Sequence, residues 1–140
     1  MIRWTGLWAG LLAVLFVVAA CGDGQADTTA QAAAVGDPER GRQIWDDGAD
    51  TVLSGGCSNC HSLDGSEEVG GFRAPTFQGI SGRAGDQVPG LSAEEYLRES
   101  IVDPAAYSVE GYFADGMPKG FEILLSEEDI DSLVAFLLTQ

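Results

Sequence analysis

Toward the end of the chain, apolar positions recur with helical spacing. Ile130, Leu133, Val134, Phe136 and Leu137 fall on one stripe of a helix, and Ser126 with Asp129 three residues on supplies a start signal ahead of it. A second helix is predicted after Ser92-Ala93-Glu94-Glu95, a capping box followed by Tyr96, Leu97 and Ile101, with its end set by Pro104. No stretch alternates as a half-buried strand does, so the expected fold is all-α with Gly- and Pro-rich loops. The other end of the chain has a different pattern. Leu7 to Ala20 is an apolar run, with Arg3 before it and Cys21 directly after it.

That run is shorter than the ~20 residues a membrane-spanning helix needs, and its length suits an export signal. Val18-Ala19-Ala20-Cys21 resembles the bacterial lipoprotein signal, in which cleavage precedes the cysteine and lipid is attached to its thiol. A plain secretory peptide cut near Ala19 or Ala20, or an uncleaved anchor, are the alternatives. The following GDGQADTTAQAAAVGD carries no aromatic residue and one large aliphatic, Val35, as a flexible tether does. The expected organisation is a signal over 1–20, a tether over 21–36 with Cys21 as the lipid site, and one folded domain over 37–140.

Composition narrows the function. A hydrophobic fraction of 45% over 140 residues is enough for one globular domain. Lys and Arg total 7 against 22 Asp and Glu, for a net charge of -15. No basic surface is available for nucleic acid or for anionic headgroups. Cleavage before Cys21 would remove only Arg3 among the charged residues and leave the chain more acidic still.

The chemistry is concentrated at Cys57-Ser58-Asn59-Cys60-His61. In an exported chain, C-x-x-C-H reads as covalent attachment of one heme c. Two thiols about a turn apart reach the two porphyrin vinyl groups, and the adjacent imidazole lies beneath the iron. A zinc site would want four ligands. A redox C-x-x-C would need a βαβ setting and an attacking thiolate. A disulfide would leave His61 without a role.

With that motif, the segment from about Asp37 onward resembles the small monoheme class I cytochrome c family. The resemblance implies an N-terminal helix with a Gly and, one turn later, an aromatic residue packed on the C-terminal helix; Gly41 and Trp45 match that pair. Ile44 joins Trp45 in that contact, and Gly41 lets the two backbones approach. The gap from Trp45 to Cys57 is longer than the family's, so Asp46 to Gly56 reads as a small insertion or a longer, looser approach to the heme.

His61 is the only histidine, and Met117 is the only methionine besides Met1. Met117 sits in Asp115-Gly116-Met117-Pro118-Lys119-Gly120, an extended or turning loop rather than a periodic apolar run. The resemblance implies Met117 as the distal ligand opposite His61, with Lys119 the substitute. It also implies Pro75 as the carbonyl that accepts the His61 N–H and Arg83 as a propionate contact, with Arg73 the alternative. Phe77 and Ile80 are expected walls of the pocket. Tyr96 and Tyr107 are both candidates for a propionate and both candidates for core.

The resemblance implies a one-electron carrier rather than an enzyme, passing electrons between respiratory or photosynthetic membrane complexes outside the cytoplasm. The expected place is the periplasm or the outer face of the bacterial cytoplasmic membrane, anchored through lipid on Cys21. Redox partners with basic docking surfaces would suit the acidic stretches Ser92–Glu99 and Glu122–Asp131. The alternatives are a fixed heme c subunit of a larger oxidoreductase, and a heme enzyme or gas sensor with a labile sixth ligand.

Overall fold

In this computed structural model, residues 36–49 and 55–140 are described. The expected export signal, Cys21 and the expected tether through residue 35 lie outside the described residues, as do residues 50–54 of the Asp46–Gly56 segment. Helix α1 spans Pro38–Asp47. The Asp37 carboxylate accepts the Glu39 N–H at 2.9 Å, and Pro38 occupies the first turn, where no N–H is needed. Gly41, Ile44 and Trp45 form its buried face.

Three further helices follow: α2 over Ala93–Val102, the single turn α3 over Phe121–Leu124, and α4 over Glu127–Leu137. Both capping signals form as reciprocal boxes, Ser92 with Glu95 and Ser126 with Asp129. The aspartate's shorter side chain closes the second box as the glutamate closes the first. Helix α4 is nearly enclosed, with every residue from Ser132 to Leu137 buried. Helix α1 packs along it, and α2 packs against it as well. Ile44, Leu97, Ile130 and Leu133 are the largest fully buried apolar side chains of a cluster that continues to Ile80 and Phe121.

Polar contacts fix how α1 and α4 meet. The Asp37 N–H donates to Ser132 Oγ at 3.2 Å, and Arg40 pairs with Asp129 at 2.9 Å. Arg98 of α2 pairs with Glu127 at 2.9 Å and also with Asp131.

The expectation of no strand is corrected by a small antiparallel hairpin, β1 over Glu68–Val69 and β2 over Phe72–Arg73. Two residues per strand are too few for an alternating pattern to be read. Gly70 and Gly71, at φ 56° and 86°, make the turn, as a two-residue hairpin loop with both φ positive requires. The acidic stretch Glu122–Asp131 spans α3 and the start of α4, with Leu125 and Ser126 between them.

Candidate functional site

Cys57, Ser58 and Asn59 form one 3-10 turn directly beside the end of α1. Gly56 makes that seating possible. Its φ is 59°, and a Cβ there would lie 2.2 Å from the Trp45 carbonyl oxygen. The Gly55 N–H returns to the Asp47 carbonyl at 3.4 Å, and Ser58 Oγ donates to the Asp46 carbonyl at 3.3 Å. Gly55 and Ser58 thus hold the attachment turn against the last residues of α1.

Cys57 and Cys60 are not joined by a disulfide. Burial pushes the Cys57 thiol up to about 11, so at neutral pH it is a thiol and not the thiolate a disulfide-exchange site needs. The His61 N–H and the Cys60 N–H both donate to the Cys57 carbonyl. The His61 ring lies 2.8 Å through Nδ1 from the Pro75 carbonyl oxygen. A carbonyl only accepts, so Nδ1 carries the proton and Nε2 keeps its lone pair. Burial lowers the His61 pKa below its ordinary value, against the opposing pull of Pro75, and this favours the neutral ring.

Phe77 lies edge-on to His61 with centroids 5.0 Å apart and edge-on to Trp45 at 5.3 Å. Trp45 in turn meets Phe136 of α4 at 6.0 Å. The imidazole is thus braced through two rings to both long helices. The sequence pairs Trp45 with the C-terminal helix but gives no sign of its contact with Phe77, because that depends on how the 74–79 segment folds back.

These groups share the wall of one cavity of about 590 Å³, within the range of small-molecule and cofactor sites. Cys57, Cys60, His61, Pro75, Phe77 and Ile80 line one part of it. Met117 lines it too, from an extended residue (φ -86°, ψ 136°) that follows the short turn Ala114–Gly116 and precedes Pro118. Tyr96 and Tyr107 both reach it, edge-on to each other at 5.9 Å; Tyr96 is buried and Tyr107 is 38% exposed. Lys119 is instead ion-paired with Asp115 at 2.9 Å on the exposed side of the loop.

Arg83 also lines the cavity. One of its guanidinium nitrogens, Nη2, donates to the Thr76 carbonyl. The other, Nη1, is the one buried side-chain polar atom without a hydrogen-bond partner among the described residues. A buried cationic donor left unmatched costs free energy, so the cavity calls for an anionic oxygen at that point. A porphyrin with vinyl groups, a metal and propionates fits this set: two thiols, one nitrogen lone pair, one thioether and one unmatched guanidinium N–H. Arg73, the alternative, is occupied elsewhere, with Glu67 at 3.3 Å and the Gly111 carbonyl at 2.7 Å.

A helical domain wrapped on a cavity with C-x-x-C-H in its wall defines a heme c-binding protein. The family model for cytochrome c matches residues 38–140, nearly all of the described chain, and the protein belongs to the cytochrome c family. A comparison with curated protein sequences gives no significant match. The fold is the class I cytochrome c fold, with its N- and C-terminal helices in contact. Heme c is bound through the two cysteines of the motif, and members of the family are typically electron carriers, not enzymes. Among the described residues, no helix is long and apolar enough to cross a membrane.

Proposed function

We propose that this protein is a mobile one-electron carrier whose heme iron would be held by His61 and Met117. When bound, the heme supplies the one-electron Fe(III)/Fe(II) couple. Every other task falls to the chain. Cys57 and Cys60 hold the porphyrin. His61 offers Nε2 because Pro75 engages Nδ1, and Phe77 keeps the ring from rotating. Met117 offers a soft thioether, which favours the reduced metal and raises the potential. Arg83 receives a propionate.

The observation that carries this reading is that His61 and Met117, distant in sequence, line one cavity with both cysteines. A heme held by both His61 and Met117 would exclude exogenous ligands, which leaves the site with electron transfer. The test is carbon monoxide binding to the reduced protein at neutral pH. Native protein should bind it negligibly and titrate with one electron, whereas Met117→Ala should bind it readily. Prompt binding by the native protein would overturn the reading in favour of a labile-ligand enzyme or sensor.

Docking is proposed at the rim of the same cavity, where Phe72 (59% exposed) and Phe113 (89% exposed) stand open to solvent. An apolar centre within a strongly acidic protein suits a partner with a basic patch and an apolar middle. We further propose export and lipid attachment at Cys21, with 21–36 tethering the 37–140 domain at the outer face of the cytoplasmic membrane. The motif Val18-Ala19-Ala20-Cys21 supports this. A second reading, a fixed subunit of a larger oxidoreductase, is favoured by the exposure of Ile123 (81%) alongside Phe113. Purification from membranes separates the two: a carrier leaves alone, a subunit leaves with its complex.

A further inference from the structure

The hairpin that precedes Pro75 and the loop that leads into Met117 are joined by one side chain. Arg73 Nη1 donates to the Gly111 carbonyl at 2.7 Å, and its guanidinium carbon lies 4.6 Å from the centre of the Tyr112 ring. Arg73 Nη2 also pairs with Glu67 at 3.3 Å. Arg73 therefore joins the two segments by itself, reaching Glu67 on one side and the Gly111 carbonyl and the Tyr112 ring on the other.

The loop beyond this contact has its own bracing. Ser108 Oγ donates to the Tyr112 carbonyl at 3.0 Å, the Tyr112 N–H to Val109 at 3.0 Å, and the Gly116 N–H to Phe113 at 3.0 Å. Holding Gly111 and Tyr112 in place therefore restricts the short path from Tyr112 to Met117. A planar guanidinium can donate along its edge and stack on its face at once, which an ammonium cannot. The exposed ion pair with Glu67 contributes little to global stability by itself. What the cluster does is local.

We propose that Arg73 is a positioning residue that latches the Met117 loop to the β1–β2 hairpin and sets how often Met117 leaves the sixth coordination position. This rests on Met117 being the distal ligand. A protein whose competent state is populated for a fraction of the time binds an external ligand in proportion to that fraction. The rate of carbon monoxide binding to the reduced protein therefore reports loop opening.

The experiment compares heme-loaded wild type, Arg73→Gln and Arg73→Lys. Four quantities are measured: the carbon monoxide binding rate of the reduced form, the sulfur-to-iron absorption band of the oxidised form, hydrogen exchange at the Tyr112 and Gly116 amides, and the unfolding midpoint. Arg73→Gln loses two charge-assisted hydrogen bonds, the one to Glu67 exposed, and one cation–π contact, so binding should quicken about tenfold. Exchange at both amides should quicken with it while the unfolding midpoint barely moves, and Arg73→Lys should fall between. A wild type with the band, together with an Arg73→Gln rate and exchange equal to wild type, overturns the latch and leaves Met117 ligation standing. A wild type without the band overturns both. If Arg73→Gln does not fold, Arg73→Lys decides, and a wild-type rate there overturns the latch.

Discussion

A Cβ placed on Gly41 of α1 would lie 1.9 Å from the carbonyl oxygen of Ser132 in α4. The two helix backbones are therefore in direct contact at this point, with room for hydrogen and nothing larger. The obstructing atom is backbone, which cannot rotate away. Gly41→Ala should destabilise the holoprotein by about 3 kcal/mol, the upper part of the range for overpacking a closed core. Guanidinium unfolding measures this, and a loss under about 1 kcal/mol would mean the helices can separate without penalty.

Asp129 ties the same helix pair together by charge. Burial raises its pKa, but hydrogen bonds from Ser126 and Arg40 outweigh that and hold the carboxyl below its ordinary 3.8. A carboxylate with a depressed folded-state pKa stabilises the fold above its unfolded value and loses that contribution as pH falls through the folded one. The stability difference between wild type and Asp129→Asn should be constant above about pH 5 and shrink below pH 4. Asp129 accepts from Arg40 at Oδ1 and from Ser126 at Oδ2, and asparagine keeps one acceptor oxygen, so the pH dependence of the difference, not its size, reports the charge. A difference that grows as pH falls would contradict the assignment.

Arg83 gives a prediction about potential. Removing a buried positive charge beside the heme favours the more positive, oxidised state. The reduction potential of Arg83→Gln should therefore fall, whereas Arg42→Gln, an exposed pair with Glu39 and Asp46, should leave it nearly unchanged. Equal shifts in a voltammetric comparison would place Arg83 away from the propionates.

Partner docking should respond separately to charge and to apolar contact. Electron transfer to a basic redox protein should slow roughly tenfold between about 10 mM and about 150 mM salt, as steered encounters do. Phe113→Ala should slow the reaction at every salt concentration without changing that slope. Stopped-flow kinetics would show both. A rate indifferent to salt would remove the acidic surface from docking.

How far the site is legible in sequence depends on the range of the contacts involved. Cys57, Cys60 and His61 are adjacent, and their spacing alone carries the chemistry. The starts of α2 and α4 are legible for the same reason, since Ser92 meets Glu95 and Ser126 meets Asp129 within one turn. Arg40 with Asp129 and Arg73 with Gly111 and Tyr112 are pairings across the fold, fixed only once the helices and loops are packed. The β1–β2 hairpin is hidden by its brevity, and α3 by its single turn. Gly56 is legible only as a glycine; that it allows the attachment turn to approach the Trp45 carbonyl is a fact of packing.

The central claim is that Met117 completes the coordination begun by His61, and the absorption spectrum of the oxidised holoprotein tests it most directly. The account predicts a low-spin c-type spectrum with the weak far-red sulfur-to-iron band, present in wild type and absent in Met117→Ala. A wild-type spectrum that is high-spin, or that lacks the band and is unchanged by Met117→Ala, would contradict it.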